Sequence, residues 1–389
     1  MGKYWVHSAP EGIDFDEREC ARGARCANPR VEVVDGETIR MGALTPRGLC
    51  DSCASLVERA LRELPGLWAR LHAELERIGG AWVIADDGLR LSCEEIAPLD
   101  GGEPDLTVVL VHGFALDRRT WHFQRRTFAE LPGGGDAPRV RQVLYDLRSH
   151  GRSERGPRES CTIEQLGRDL EAVLRTLVPD GPIVLIGHSM GGMTVMALAE
   201  QFPQLFEERI VGVGLVSTSA GEVGSAGLPK ALLSRRNPLT RGVGLLARVQ
   251  PTLVETGRRL LGDVIWAITR SFAYGDRNVA PWLVDLVDSM ISANAVDALT
   301  DFVDTVNSHD RIAALPALAG CEVLVAAGDA DRVIPFSHAE RIAAELPDAT
   351  LVRFPGVGHM PMLEQPAAMD EALLDLLRRS ARRIGGPSR

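Results

Sequence analysis

The sequence predicts an α/β protein: a mostly parallel sheet with helices on both faces, a helical insertion late in the chain, and a small cysteine-rich α+β module ahead of it. Three observations predict it. Short apolar runs such as PIVLI at 182–186 and EVLVAA at 322–327 lack the polar alternation of a half-exposed strand, so they read as strands buried on both faces. Helical stretches alternate with them, as the crossovers between parallel strands require. Cys20, Cys26, Cys50 and Cys53 crowd into the first 53 residues, where the pattern is different.

The elements follow in chain order. The spacings Cys20-x5-Cys26 and Cys50-x2-Cys53 flank VEVVDGETIRMG, whose Asp35-Gly36 pair signals a hairpin. The second pair forms a knuckle whose last cysteine starts a helix. Together these pieces resemble a treble-clef zinc site, in which four thiolates surround a structural zinc and the helix N-terminus eases their charge. The first spacing is wider than the usual knuckle, and reduced thiols or disulfides are the alternatives. Leu61, Leu64, Leu67, Leu71 and Leu75 continue at helical spacing until Gly79-Gly80, so the module is expected over residues 1–78.

From residue 81, AWVIADDGLRLSCEEI reads as a hairpin turning at Asp86-Asp87-Gly88, and DLTVVLVHG and RQVLYDL as buried strands. Thr162-Ile163-Glu164-Gln165 is a capping box opening a helix to Leu177. The strand PIVLIG, a helix from Met190 to Gln201 and the strand RIVGVGLVSTS come next. EVLVAAG, the helix AERIAAEL and TLVRFPG complete the pattern. Residues 221–315 interrupt it with no clear strand and with large apolar residues: Trp266, Phe272, Tyr274, Trp282, Met290 and Phe302. They read as a helical cap over a pocket or, alternatively, as one more core layer. The sheet core is thus expected over 81–220 and 316–389.

Composition limits the function. A formal net charge of −10 and an isoelectric point near 5.5 argue against a nucleic-acid surface. Positive charge comes almost wholly from arginine, a skew that fits GC-rich bacterial coding. No signal peptide and no uninterrupted apolar run of about 18 residues stand out, and seven cysteines without an export signal imply a reducing compartment. The expectation is a cytoplasmic protein without a membrane span, and no oligomeric state is implied.

Gly187-His188-Ser189-Met190-Gly191 fits G-x-S-x-G, directly between a strand and a helix. So sharp a reversal strains the backbone, holds the serine clear of the sheet and leaves room only for glycine on either flank. A serine hydroxyl needs a base, and the base an orienting carboxylate. In an open α/β sheet these sit on loops past the carboxyl ends of later strands. His359, in VGHMPMLEQP, is the only histidine downstream of Ser189 just beyond a predicted strand. Asp331 and Asp329 compete as the acid. Asp331 lies deeper in its loop, before Val333-Ile334-Pro335, and is assigned that role, with Asp329 as a turn cap.

At these residues the chain from 81 onward resembles the α/β-hydrolase fold superfamily, in its esterase, lipase and perhydrolase-like branch with a helical cap. The matching pieces are VLVHGF at 109–114, YDLRSHGRS at 145–153, GHSMGG at 187–192, GDADRVIP at 328–335 and GVGHMPMLEQP at 356–366. The resemblance implies Ser189 as nucleophile, Asp331 as acid and His359 as base, with the backbone N–H groups of Phe114 and Met190 as the oxyanion hole. Ser149 stands where the family usually has glycine, a change expected to alter backbone strain and not chemistry. Ser189, where other members carry Asp, argues against epoxide and haloalkane substrates. His112, His188 and Trp121 are candidates for the pocket wall, with simple packing as the alternative.

The expected function is hydrolysis of a small-molecule carboxylic ester or thioester with an apolar group, through an acyl-enzyme and without a catalytic cofactor, falling in acid as His359 protonates. Alternatives are an acyltransferase or cofactor-free perhydrolase using the same triad, or a catalytically silent scaffold whose zinc module mediates interactions.

Overall fold

Predominantly apolar runs become the inner strands of one sheet. The computed structural model describes residues 31–34, 38–41, 80–133, 137–223, 270–276 and 278–385. The chain divides into two units, Met1–Gly80 and Ala81–Arg389. In the first, β1 (Val31–Val34) and β2 (Thr38–Met41) pair antiparallel on either side of the Asp35-Gly36 dipeptide, with Val34 opposite Thr38. Cys20, Cys26, Cys50 and Cys53 lie outside the described residues, as does the leucine-rich stretch before Gly80.

The second unit is built on β3 (Gly80–Ile84), β4 (Arg90–Ile96), β5 (Leu106–Val111), β6 (Val140–Tyr145), β7 (Ile183–His188), β8 (Ile210–Val216), β9 (Glu322–Gly328) and β10 (Thr350–Phe354). Their order across the sheet is β10-β9-β8-β7-β5-β6-β4-β3. Neighbours from β6 to β10 run parallel, whereas β4 is antiparallel to β6. Successive side chains enter opposite cores. Val108 and Leu110 join Val184, Ile186 and Leu324 on one face, while Val109 and Val111 join Leu185, Val213 and Val325 on the other. Two-sided burial leaves no solvent-facing side on which polar residues would alternate, which is why the runs show no such period. β3 and β4 are joined by a turn in which Ala85 N–H donates to Leu89 C=O at 2.8 Å.

Helices cover both faces. Ile163–Leu177 buries Leu166, Leu170, Val173 and Leu174, one stripe at helical spacing, against the Val109 side, where Met190–Gln201 also packs. Thr162 caps the first of these: its hydroxyl accepts the Gln165 N–H at 3.1 Å. The reciprocal half of the predicted capping box is different, because the Gln165 amide donates to Asp86 and Asp169 instead. The opposite face is covered by His122–Ala129 and Pro366–Gly385, through Phe128, Met369, Leu373 and Leu377. Among the described residues no helix is long and apolar enough to cross a membrane.

Within the 221–315 stretch, the described helices are Pro281–Ala293 and Val296–Asn307. Leu283, Val284, Val287 and Met290 share a cluster with Leu110 and Phe128, and Phe302 enters the opposite cluster. Tyr274 is buried, its hydroxyl donating to Leu283 C=O at 2.6 Å. Where the stretch begins and ends, Gly221 and Asp310 form a bridge and Arg311 N–H donates to Ala220 C=O at 2.6 Å.

Candidate active site

β5 has β6 on one side and β7 on the other, so the connections leaving β5 and β7 diverge and open a crevice at the strands' carboxyl ends. His112 and Gly113 follow β5, and Ser189 follows β7. The loops after β9 and β10 at the same edge carry Asp331 and His359.

Ser189 sits at φ 53° and ψ −118°, a strained conformation for a residue with a side chain. The neighbouring glycines explain how the bend is possible. A Cβ on Gly187 would lie 2.5 Å from Gly191 O, and one on Gly191 would lie 2.3 Å from Val111 O. Two strands and a helix therefore approach in the space a methyl would occupy. Backbone bonds hold the bend in place: Ser189 N–H donates to Val216 C=O at 2.9 Å, and Ser189 C=O accepts from the Thr218 hydroxyl at 2.6 Å. Met190 opens the following helix, where N–H groups have no intrahelical acceptor and the helix dipole is positive.

The loop after β5 passes over the serine. A Cβ on Gly113 would be 3.0 Å from Ser189 Cβ and 2.8 Å from His188 Nδ1. Phe114 follows, then Ala115 at φ 62°. The Asn294 amide donates to Ala115 C=O at 2.9 Å and to Met290 C=O at 2.8 Å, and its oxygen accepts Gly151 N–H at 3.1 Å. Ser149, in the same D-x-R-S-H-G turn, has a φ of 63°, so this serine does adopt the left-handed conformation that glycine takes more readily.

Asp331 Oδ1 accepts the N–H groups of Val333 and Ile334 at 2.8 and 2.9 Å, and Oδ2 lies 2.8 Å from His359 Nδ1. A carboxylate only accepts, so Nδ1 is the donor in this bond, and in a neutral ring that leaves Nε2 as the acceptor. Asp329 accepts Gly356 N–H at 2.7 Å, a turn contact away from the imidazole. His359 is fixed from both sides, its N–H donating to Ala273 C=O and its C=O accepting His188 Nε2–H, each at 2.9 Å. The rings of His188 and His359 are 4.8 Å apart. The structure thus places Ser189, Asp331 and His359 on loops at one end of the sheet, with the His188 ring packed against that of His359.

The three residues read as candidates for the pocket wall, His112, His188 and Trp121, are fully buried. His112 donates through Nδ1 to Gly113 C=O at 2.8 Å and accepts Leu147 N–H at Nε2, a neutral ring locked in one tautomer. Burial pushes His112, His150 and His309 down to about 4 and His188 well below its ordinary value. These rings are neutral when folded and gain protons on unfolding below the ordinary histidine value of about 6.5. The unfolded state therefore binds more protons between about pH 6.5 and 4. Stability falls with pH through that window by up to about 1.4 kcal/mol per pH unit for each histidine. Burial raises Asp146 and Asp169, which offset part of the loss by taking up protons while folded. The urea midpoint should drop between about pH 7.5 and 5; an equal or higher midpoint in acid contradicts this account.

Three contributors, two of them inside the matching motifs, have long-range pairings that the sequence does not show. Arg148, fully buried, forms a two-pronged pair with Asp169 at 2.6 Å and a second pair with Asp87 at 2.8 Å, tying the turn after β6 to a helix and to the β3–β4 turn. Asn294 joins two loops at the crevice. Glu364, six residues after Gly358, accepts that residue's N–H at 2.8 Å. A motif of residue types carries none of these long-range pairings.

Comparison with known proteins agrees with this architecture. The model of the alpha/beta hydrolase family matches residues 108–372. The non-heme chloroperoxidase of Streptomyces lividans is 28% identical over 302 residues, covering 75% of this chain and 97% of that protein. The sn-1-specific diacylglycerol lipase ABHD11 of Mus musculus is 26% identical over 290 residues, covering 72% and 83%. Among solved structures, a thermophilic esterase from Thermogutta terrifontis superposes with a TM-score of 0.61 at 26% identity, covering 78% of this chain and 99% of its own. With the sheet order, the serine bend and this match in hand, the chain belongs to the alpha/beta hydrolase family.

Proposed function

We propose that the protein is a serine hydrolase that cleaves a small carboxylic ester or thioester through an acyl-enzyme on Ser189. The observation that carries this reading is the 2.8 Å hydrogen bond from His359 to Asp331, on loops at the same edge of the sheet as a strained serine. His359 Nε2 takes the hydroxyl proton as Ser189 attacks the acyl carbon, and Asp331 stabilises the imidazolium. The N–H groups of Met190 and Phe114 receive the oxyanion, where each such donor contributes about 10²–10³ in rate. The imidazolium then gives its proton to the departing alkoxide or thiolate. Water, deprotonated by the same imidazole, attacks the acyl-enzyme; the acyl carbon–Oγ bond then breaks, releasing the acid, and the imidazolium returns its proton to Ser189 Oγ. Each proton has a donor and an acceptor in this sequence, so no cofactor is called for.

The stretch 221–315, of which Pro281–Ala293 and Val296–Asn307 are described helices, is read as the cap, and a substrate with an apolar acyl or alcohol group is expected. The esterase and lipase relatives point the same way. Purified protein should be labelled by a fluorophosphonate and should hydrolyse p-nitrophenyl esters with a preference that changes with acyl chain length. Absence of both labelling and turnover refutes the proposal. Likeness to a chloroperoxidase favours a second reading, acyl transfer to peroxide. Product analysis with peroxide or an alcohol in competition with water separates the two: peracid or a new ester marks transfer, free acid marks hydrolysis.

A further inference from the structure

Glu364 ends the short helix Pro361–Glu364, which follows His359 almost at once. Its side chain is half-buried, and burial raises its pKa while backbone N–H groups act against that. Oε1 accepts Gly358 N–H at 2.8 Å, whereas Oε2 accepts Gly275 N–H at 2.8 Å and Asp276 N–H at 3.4 Å. One oxygen thus faces the residue before His359 and the other faces the 221–315 insertion. Further contacts join the same two segments. His359 N–H donates to Ala273 C=O at 2.9 Å, and Arg332, next to Asp331, donates to Ser271 C=O at 2.7 Å. A Cβ on Gly275 would lie 2.2 Å from Gly356 O, and one on Gly358 would lie 2.4 Å from Gly275 N. The insertion segment and the histidine loop therefore pack backbone to backbone, with no room for a side chain between them.

The geometry points to Glu364 as a positioning residue for the base: its carboxylate ties Gly358, and so the His359 imidazole, to Gly275 and Asp276, and holds His359 in reach of Ser189 only while that insertion segment is docked. This inference rests on the serine hydrolase reading. Its physical core is that a carboxylate offers acceptors in two directions, whereas a carboxamide offers an acceptor in one and a donor in the other. In Glu364→Gln an NH2 group must face either Gly358 N–H or Gly275 N–H, which opens one side of the clamp at almost unchanged volume. Displacing a reacting group by about 1 Å costs about 10²-fold in rate.

For Glu364→Gln we expect kcat to fall by about 10- to 100-fold with KM within about threefold of the parent, and fluorophosphonate labelling of Ser189 to slow in proportion. Glu364→Asp keeps the charge but is one methylene short of spanning both segments, so it should lose rate in the same way. A merely structural role would lower the urea midpoint and leave kcat of the folded protein untouched. Parental kcat and labelling rate in folded Glu364→Gln overturn the proposal alone, whereas a wild type that is never labelled overturns the hydrolase reading beneath it. Should neither variant fold, hydrogen exchange in the wild type decides. Amides of 273–276 and 356–359 exchanging slowly and together support the clamp, and unrelated rates overturn it.

Discussion

Ser189→Ala is expected to abolish ester turnover, lowering kcat by about 10⁶-fold, while the protein stays folded. The size of the loss follows from the division of labour at the site. In the proposed mechanism, His359 and Asp331 have no nucleophile to activate once the hydroxyl is gone, so the three groups fail as one unit and not in proportion to the atoms removed. What remains is whatever the oxyanion donors and substrate binding give to direct attack by water, a residue of about 10³–10⁴ over the uncatalysed reaction. Stability changes little, because the bend is held by main-chain groups: Ser189 N–H to Val216 C=O, and Ser189 C=O to the Thr218 hydroxyl. The unfolding midpoint should shift by no more than about 0.5 kcal/mol allows. Steady-state kinetics and urea unfolding on the same preparation check both halves. A variant that keeps even a tenth of the parental kcat removes Ser189 from the chemistry.

Some of this arrangement could be read before any coordinates, because local physics specifies it. The runs that became β5, β7 and β9 are apolar on both sides since both sides are buried, and that pattern lies within six or seven consecutive residues. Gly187 and Gly191 are legible for a similar reason: the sharp bend at Ser189 leaves no space for a side chain on either flank. What stayed hidden depends on partners far apart in the chain. Asn294 joins Ala115 to Gly151, and Glu364 joins Gly358 to Gly275; an asparagine or glutamate looks the same in sequence whether it faces water or a backbone N–H. Gln165 illustrates the same limit on a smaller scale. Its position in a capping box was readable, but a tertiary partner, Asp86 at 2.6 Å, outcompeted the local one.

The two oxygens of Asp331 have different neighbours, and this asymmetry sets the second large effect. Oδ1 accepts two backbone N–H groups, from Val333 and Ile334, while Oδ2 faces His359 Nδ1. In Asp331→Asn the amide oxygen must stay toward the two backbone donors, since turning the NH2 group toward them would set donor against donor and lose both bonds. The NH2 group therefore faces His359. Its proton can only be accepted by an unprotonated Nδ1, so the imidazole moves its own proton to Nε2, the nitrogen that should receive the proton of Ser189. The base is in place but in the wrong tautomer, and the imidazolium has also lost its counter-charge. A fall in kcat of about 10⁴-fold is expected, with KM nearly unchanged because neither group is needed to bind substrate. Raising the pH should recover part of the loss, as hydroxide replaces the missing general base. Labelling by fluorophosphonate should slow alongside turnover, because it uses the same activated oxygen. Asp329→Asn supplies the contrast: its carboxylate meets Gly356 N–H and not the imidazole, so turnover there should stay within about threefold of the parent. If the two substitutions cost the same, the carboxylate beside His359 is not what prepares the base.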